Sequence, residues 1–478
     1  MGRFQSANTG QQVRMAVLLA SLCAFFYLFR LNPQGSPDRP AILALSVLVL
    51  VLGLWMTEYL PMAVSGLIGC FLLYFFGTYF QFGVLISGSF SGFAVPSVWF
   101  AFSGLVIGGA MGLSGLARRI SLMVLRYTGN SYSNLLFGTL ILSGVLVFFI
   151  PSTDARTVVL MSLIAGMSGV RTEEPDAGVM KGLSLLVPFS SSIMGIGVLA
   201  SVSSITAVGM IEKYGGIQIS YVKWLVMFLP AELLTMTALY FLVKMLFPAQ
   251  IARVNKGWIE EELVLTGPVS AREQRAAVII GSAVLLFLTG SFTGLRSDVV
   301  AMACAALLLL PNVGVIGGKE LATRINWLIA PIFLGSAFSI VNCLEATGML
   351  ARIGAAALNL AQGPLLDSGY PVQMLTVCGV AGIMHLFTAH SSMLIASFVP
   401  VVLQWADALD LGMGIPLIFV WGSQLEIMAF QSSSLTIAYG YGAIQGIDIL
   451  KIGIPLALVQ LIGGTLILSC WWKILGLL

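Results

Sequence analysis

Pro151, Ser152, Thr153, Asp154, Arg156 and Thr157 interrupt an apolar run that extends to both sides of residues 148–159. An aspartate or arginine at the centre of a membrane helix costs roughly 3 kcal/mol on insertion scales, so such residues face protein or a water-filled cavity rather than lipid. Pro151 points the same way, because it breaks the helix and the backbone groups it frees must find partners other than hydrocarbon. The stretch reads as the tip of a re-entrant hairpin lining a binding site. Thr388, Ala389, His390, Ser391 and Ser392 form a second polar interruption. Two such tips meeting at the midplane bring helix N-termini together, each with unpaired amides and about half a positive charge. That is an anion site, in which Ser152, Thr153, Thr157, Thr388, Ser391 and Ser392 donate to a carboxylate or sulfate while unwound carbonyls hold a cation. Isolated serines and threonines more often bond back to helix carbonyls. Two matched clusters favour the site.

Each tip is followed by a discontinuous helix with a polar centre. The first carries Ser190, Ser191, Ser192, Gly195, Gly197, Ser201, Ser203 and Ser204; the second carries Gln424, Glu426, Gln431, Ser432, Ser433 and Ser434. For Ser190 to Ser192 alone, close helix packing explains the small residues equally well. Both histidines of the chain, His385 and His390, lie near the second tip, and two at one tip favour function over a satisfied core group. Asp154 repels an anion unless it pairs with Arg156, is protonated or binds a cation, and Glu426 poses the same question. Titration of either opens proton coupling, against which stands a static ion pair.

These groups need a membrane-embedded frame, and the composition supplies one. The 478 residues are 58% hydrophobic and 9% charged, with a mean hydropathy of +0.99, which excludes a soluble globular domain. A net charge of +3 is too mild for nucleic-acid binding. The reading is an all-α polytopic membrane protein with about 11 transmembrane helices plus two re-entrant hairpins. Arg3 and Arg14 precede a first apolar run without a small-residue cleavage site, so this run is a retained helix with a cytoplasmic N-terminus. On that count the clusters Arg118/Arg119/Arg126, Arg171/Lys181, Arg253/Lys256/Arg272/Arg275 and Lys319/Arg324 are cytoplasmic. The six cysteines are scattered without a C-x-x-C pair and read as small core residues.

The two halves repeat at an offset of about 230 residues. Trp99 and the segment Gly115, Arg118, Arg119 are echoed by Trp327 and Gly348, Arg352, and Lys223 with Pro230 is echoed by Lys451 with Pro455. An odd number of crossings between the copies makes the repeat inverted, the sequence pointer to an alternating-access transporter.

Trp55, Met56, Thr57, Glu58, Leu60 and Pro61 resemble the W-M-T-E-x-[IL]-P segment of the divalent-anion:sodium symporter family of dicarboxylate, citrate and sulfate transporters. The order of segments agrees over nearly the whole chain. The resemblance implies a homodimer in the cell (inner) membrane, contacting lipid, with a scaffold domain and a transport domain that moves as an elevator. On that plan residues 1–131 and 276–370 are scaffold helices. Residues 132–247 and 371–478 supply the hairpins and broken helices of the transport domain, and 248–275 is a cytoplasmic linker. No cofactor is implied, with sodium one candidate coupling ion. Carried over by position, Ser152, Thr153 and Asp154 fall on the family's first Ser-Asn-Thr and Ala389, His390 and Ser391 on its second. Ser203, Ser432 and Ser433 fall on the later Thr-Pro-like motifs, Ser201 and Gln431 precede them, and His385 replaces a hydroxyl, as does Phe148. Residues 151–157 and Thr388 to His390 further resemble the citrate/succinate and 2-oxoglutarate/malate exchanger branch. There a fixed cation, here Arg156 or His390, replaces the charge of sodium.

The expected function is therefore secondary transport of a small di- or tricarboxylate or sulfate rather than catalysis. Sodium, proton and counter-anion coupling all remain open, the proton route running through Asp154, His390 and Glu426. An intramembrane hydrolase lacks its motif: no H-E-x-x-H or G-x-S-x-G occurs. An anion channel gives no reason for inverted hairpins.

Overall fold

In the computed structural model, residues 2–30, 38–57, 59–128, 131–169, 177–249, 257–324, 328–361, 368–388, 390–408 and 411–477 are described. Glu58, Arg171, Arg253, Lys256, Trp327 and Ala389 lie outside them. Every element among the described residues is helical. Eight of these helices are long and apolar enough to cross a membrane, and Met15–Arg30, Ser297–Leu309, Pro331–Ala346 and Ser391–Asp407 are shorter apolar ones. Two apolar runs do not stay continuous: 187–209 breaks between Gly197 and Val202, and 415–438 divides into Gly414–Gly422 and Ser433–Gly440. Phe71, Phe75, Phe241, Phe292 and Ile474 are exposed.

Both expected hairpins are present. The first comprises Tyr132–Phe149 and Thr153–Gly169. Its first arm opens on Ser131, whose hydroxyl accepts from the Asn134 amide, and it closes where Pro151 has no N–H to continue the ladder. The second comprises Tyr370–His385 and Ser391–Ala408. Each hairpin precedes a broken helix. The first runs Ala177–Gly197, unwinds over 198–201 and restarts as Val202–Gly215 behind a capping box in which Ser201 and Ser204 satisfy each other's backbone amides. The second breaks over 423–432 between its two short helices, with a single turn at Ala429–Gln431.

The duplication extends beyond the hairpins. Gly115 (φ 85°) and Gly348 (φ 71°) each end a helix in the left-handed region and release an amphipathic one, Leu116–Tyr127 and Met349–Ala361. Arg119 of the first is buried and grips Glu273 (2.8 Å) and the Gly267 carbonyl (3.0 Å), while Arg118 and Arg126 pair with Glu262 and Glu260. Those partners belong to the acidic stretch between the halves, so the basic cluster and the polar connection occupy one end of the molecule.

Candidate anion site between the two tips

Thr153, Val202, Ser391 and Ser433 each open a helix, and all four line one cavity of about 340 Å³. The N-terminal amides of those four helices therefore point their partial positive charge at a common space. The first tip contributes Ser152, Thr153 and Asp154, and the second His390, Ser391 and Ser392. From the broken helices come Ser192, Ser201 and Ser203 in the first half, and Gln424, Glu426, Gln431, Ser432 and Ser433 in the second. Hydroxyls and amides that converge in this way can hold a carboxylate or sulfate on several donors at once.

The halves interlock across the cavity. Ser203 of the first break bonds Ser391 of the second tip (2.7 Å), and Ser433 of the second break donates to Asp154 of the first tip. Ser192 reaches Ser434 (2.9 Å) and Ser432 (3.3 Å), and Ser391 donates to Gln424 (3.3 Å). Asp154 sits in the first turn of its helix, where the helix dipole favours a carboxylate.

Arg156, Thr388 and His385 stand outside this lining. Arg156 is fully buried and its guanidinium turns into the protein: Nη1 donates to the Ile150 (2.7 Å) and Ala200 (3.1 Å) carbonyls and Nη2 to the Ser191 carbonyl (2.8 Å). It binds the hairpin tip to the first break, and its Nη2 also donates to the hydroxyl of the cavity-lining Thr153 (3.4 Å). Gln431 does the corresponding work in the second half while also reaching the cavity. Its Nε2 donates to the His385 (3.0 Å) and Leu425 (3.2 Å) carbonyls and its Oε1 accepts from the Ile427 and Met428 amides (2.7 Å each). His385 is buried beneath, with Nδ1 on the Leu425 carbonyl (3.3 Å). Thr388 turns to a separate apolar pocket of about 200 Å³ beside Trp55 and Met56. Thr157 bonds back to the Thr153 carbonyl (2.9 Å).

Three lining residues, Met62, Leu105 and Phe333, escaped the sequence reading because an apolar residue in an apolar run carries no signal. One indirect pointer existed. Trp55 of the W-M-T-E segment donates to the Met62 carbonyl (3.0 Å) and meets Phe333 edge-on at 5.3 Å between ring centroids, so the motif positions the apolar wall of the cavity.

Residues 12–478 match the family described as the sodium:sulfate symporter transmembrane region. A membrane protein of Cupriavidus necator is 25% identical over 397 residues, which span 81% of this chain and 76% of that one. An L-tartrate/succinate antiporter of Escherichia coli is 21% identical over 393 residues, 79% of this chain and 78% of its own. In three dimensions the chain resembles the Alcanivorax borkumensis YdaH transporter, with a TM-score of 0.57 at 14% identity over 87% of this chain and 99% of that one, a likeness of fold. The chain belongs to the sodium:sulfate symporter family, the divalent-anion:sodium symporters, and is an integral membrane transporter of anions.

Proposed function

We propose that this protein exchanges small dicarboxylates, of the C4 size of succinate and tartrate, across the cell membrane. The observation that carries the anion site is the convergence of four helix N-termini and a dense set of hydroxyls on one cavity. Exchange is favoured over sodium symport by Arg156, whose guanidinium already occupies carbonyls of the first tip, the first break and the helix before it. A fixed cation there supplies the charge that a coupling ion would otherwise bring, and it cannot leave. The tartrate/succinate exchange named for a relative points to the same substrate class.

On this reading the two hairpins and broken helices move together as an elevator against the remaining helices, in a homodimer of the inner membrane with its N-terminus in the cytoplasm. Counterflow into proteoliposomes tests it. Labelled succinate should accumulate only when unlabelled succinate, malate or tartrate is trapped inside, at equal rates with sodium or potassium outside. Uptake that requires a sodium gradient and no internal anion would replace exchange with symport, and citrate or sulfate as the sole counter-substrate would move the substrate class.

A further inference from the structure

Two carboxylates line a cavity built for anions, and they are not equivalent. Asp154 has the first turn of a helix and the Ser433 hydroxyl to stabilise its charge. Glu426 lies in the second break, 7% exposed, against the Ser192 and Ser432 hydroxyls, and its Oε2 has no hydrogen-bond partner. Among the described residues that line the cavity with it there is no lysine or arginine. The first hairpin brings Asp154, with Arg156 committed to carbonyls behind it, and the second brings His390 and the buried His385. Glu232, beside the first break, accepts from the Gly197 amide. Helix Gly446–Leu458, whose Gly453 lies against the Glu426 carbonyl, carries the exposed Lys451 and Asp448, the latter paired with Lys181 at 3.2 Å.

A dicarboxylate that enters this space sets a third carboxylate group beside Glu426. Carboxylates at hydrogen-bond range do not both stay ionised; they hold one proton between them. Resting on the exchange reading above, we infer that Glu426 takes up a proton as the substrate binds, so that the cavity carries the dianion together with one proton. The proton comes from solvent on the loading side and bridges Glu426 Oε2 and a substrate oxygen as O–H···O. It returns to solvent when the anion leaves on the other side. Each half-cycle thus moves one less negative charge than the dianion alone, and Glu426 makes the site selective for anions whose carboxylates accept a proton over fixed dianions such as sulfate.

Calorimetric titration of the purified full-length protein with succinate, in two buffers of different ionisation enthalpy at pH 9, where the buried carboxyl of the empty cavity has ionised, counts the protons taken up. The wild type should take up about one proton per succinate there, less at neutral pH, and lose affinity with rising pH by up to about tenfold per pH unit once the empty-site Glu426 is ionised. Glu426→Gln keeps the shape and an N–H donor but cannot take up the proton; it should bind succinate with no proton uptake and a flat affinity between pH 7 and 9, and Glu426→Asp should restore the linkage. Succinate's own ionisation is common to all, so the difference between variants is the readout. Equal proton uptake by wild type and Glu426→Gln, or loss of uptake in His390→Gln with Glu426 intact, would overturn the assignment. Proton-linked binding without counterflow would sink the exchange reading alone, and absence of any succinate or tartrate binding would sink both.

Discussion

In the first half, the carbonyls of Ile150 at the tip and Ala200 in the break converge on a guanidinium; in the second, those of His385 and Leu425 converge on a carboxamide. The topology is shared and the electrostatics differ. Arg156 puts a permanent positive charge under the first tip, where Asp154 faces the cavity, whereas Gln431 closes the second break with a neutral carboxamide and leaves Glu426 in front of it. The duplicated frame thus supplies two equivalent cradles of backbone dipoles, and side-chain choice makes one fixed in charge and the other able to change.

The largest effect should come from removing the fixed charge. Arg156→Ala leaves three buried carbonyls without their donor and uncouples tip from break, at a cost of about 4 kcal/mol, comparable to breaking a buried ion pair from one side. Transport should be abolished and the thermal midpoint in detergent lowered. Arg156→Lys, with one ammonium for a fork of donors, should recover only part of both. An Arg156→Ala protein with wild-type counterflow would remove the charge from the comparison altogether.

Next in size is the neutral brace. Gln431→Ala forfeits two donated and two accepted hydrogen bonds, but every group left behind is an uncharged backbone amide or carbonyl, so about 2 kcal/mol is expected. Thermal denaturation of both variants in the same detergent sets them side by side. If Gln431→Ala proves as damaging as Arg156→Ala, the two braces are equivalent and the charge difference is incidental.

Flanking helices support the breaks differently too. Gly197 donates its amide to Glu232 (2.7 Å), and a Cβ there would overlap the Glu232 carboxylate; a Cβ on Gly453 would instead press the backbone of Ile427 and Glu426 at 2.8–3.0 Å. Gly197→Ala should cost about 2 kcal/mol and be partly relieved by Glu232→Ala, a coupling that a double-mutant cycle reads directly. Gly453→Ala meets backbone rather than a side chain, so no single truncation should relieve it.

How far these features were visible in the sequence depends on their chemistry. Asp154, Ser201, Ser203, Ser391, Ser432 and Ser433 stood out because polar residues in an apolar run need partners, and the structure gathers them round one cavity. The direction of Arg156 was not visible. Its type announces a partner but not whether that partner is a solute or three carbonyls, and only the fold brings Ala200 and Ser191 within reach. Nor does an offset between halves pair Arg156 with Gln431, since one sits on a hairpin arm and the other in a break. Met62, Leu105 and Phe333 were invisible for the opposite reason, being apolar residues among apolar neighbours.

The smallest expected effect lies at the far end of the first broken helix, where it meets the other helices through polar contacts. Glu212 faces Arg296 at 3.5 Å, and Arg296 also holds Asp298 at 3.1 Å; nearby the Tyr214 hydroxyl donates to Asn342 Oδ1 (2.7 Å), whose Nδ2 donates to Ser91 (2.6 Å). If the hairpins and broken helices shift as a body, these contacts are broken and remade in every cycle, and they must be weak to permit it. Glu212→Gln removes one half-exposed partner while Asp298 keeps Arg296 occupied, so stability should fall by about 0.5 kcal/mol and exchange rates should change about twofold, an effect that about 1 M salt should erase by shrinking the screening length to roughly 3 Å. Asn342→Ala, which frees Tyr214, Ser91 and the Lys213 ammonium together, should change rates more and respond less to salt, because the amide carries no net charge and its bonds are screened less than an ion pair. A Glu212→Gln effect as large as that of Gln431→Ala would mean that this end is a permanent joint, and the line between moving and stationary helices would have to be drawn elsewhere.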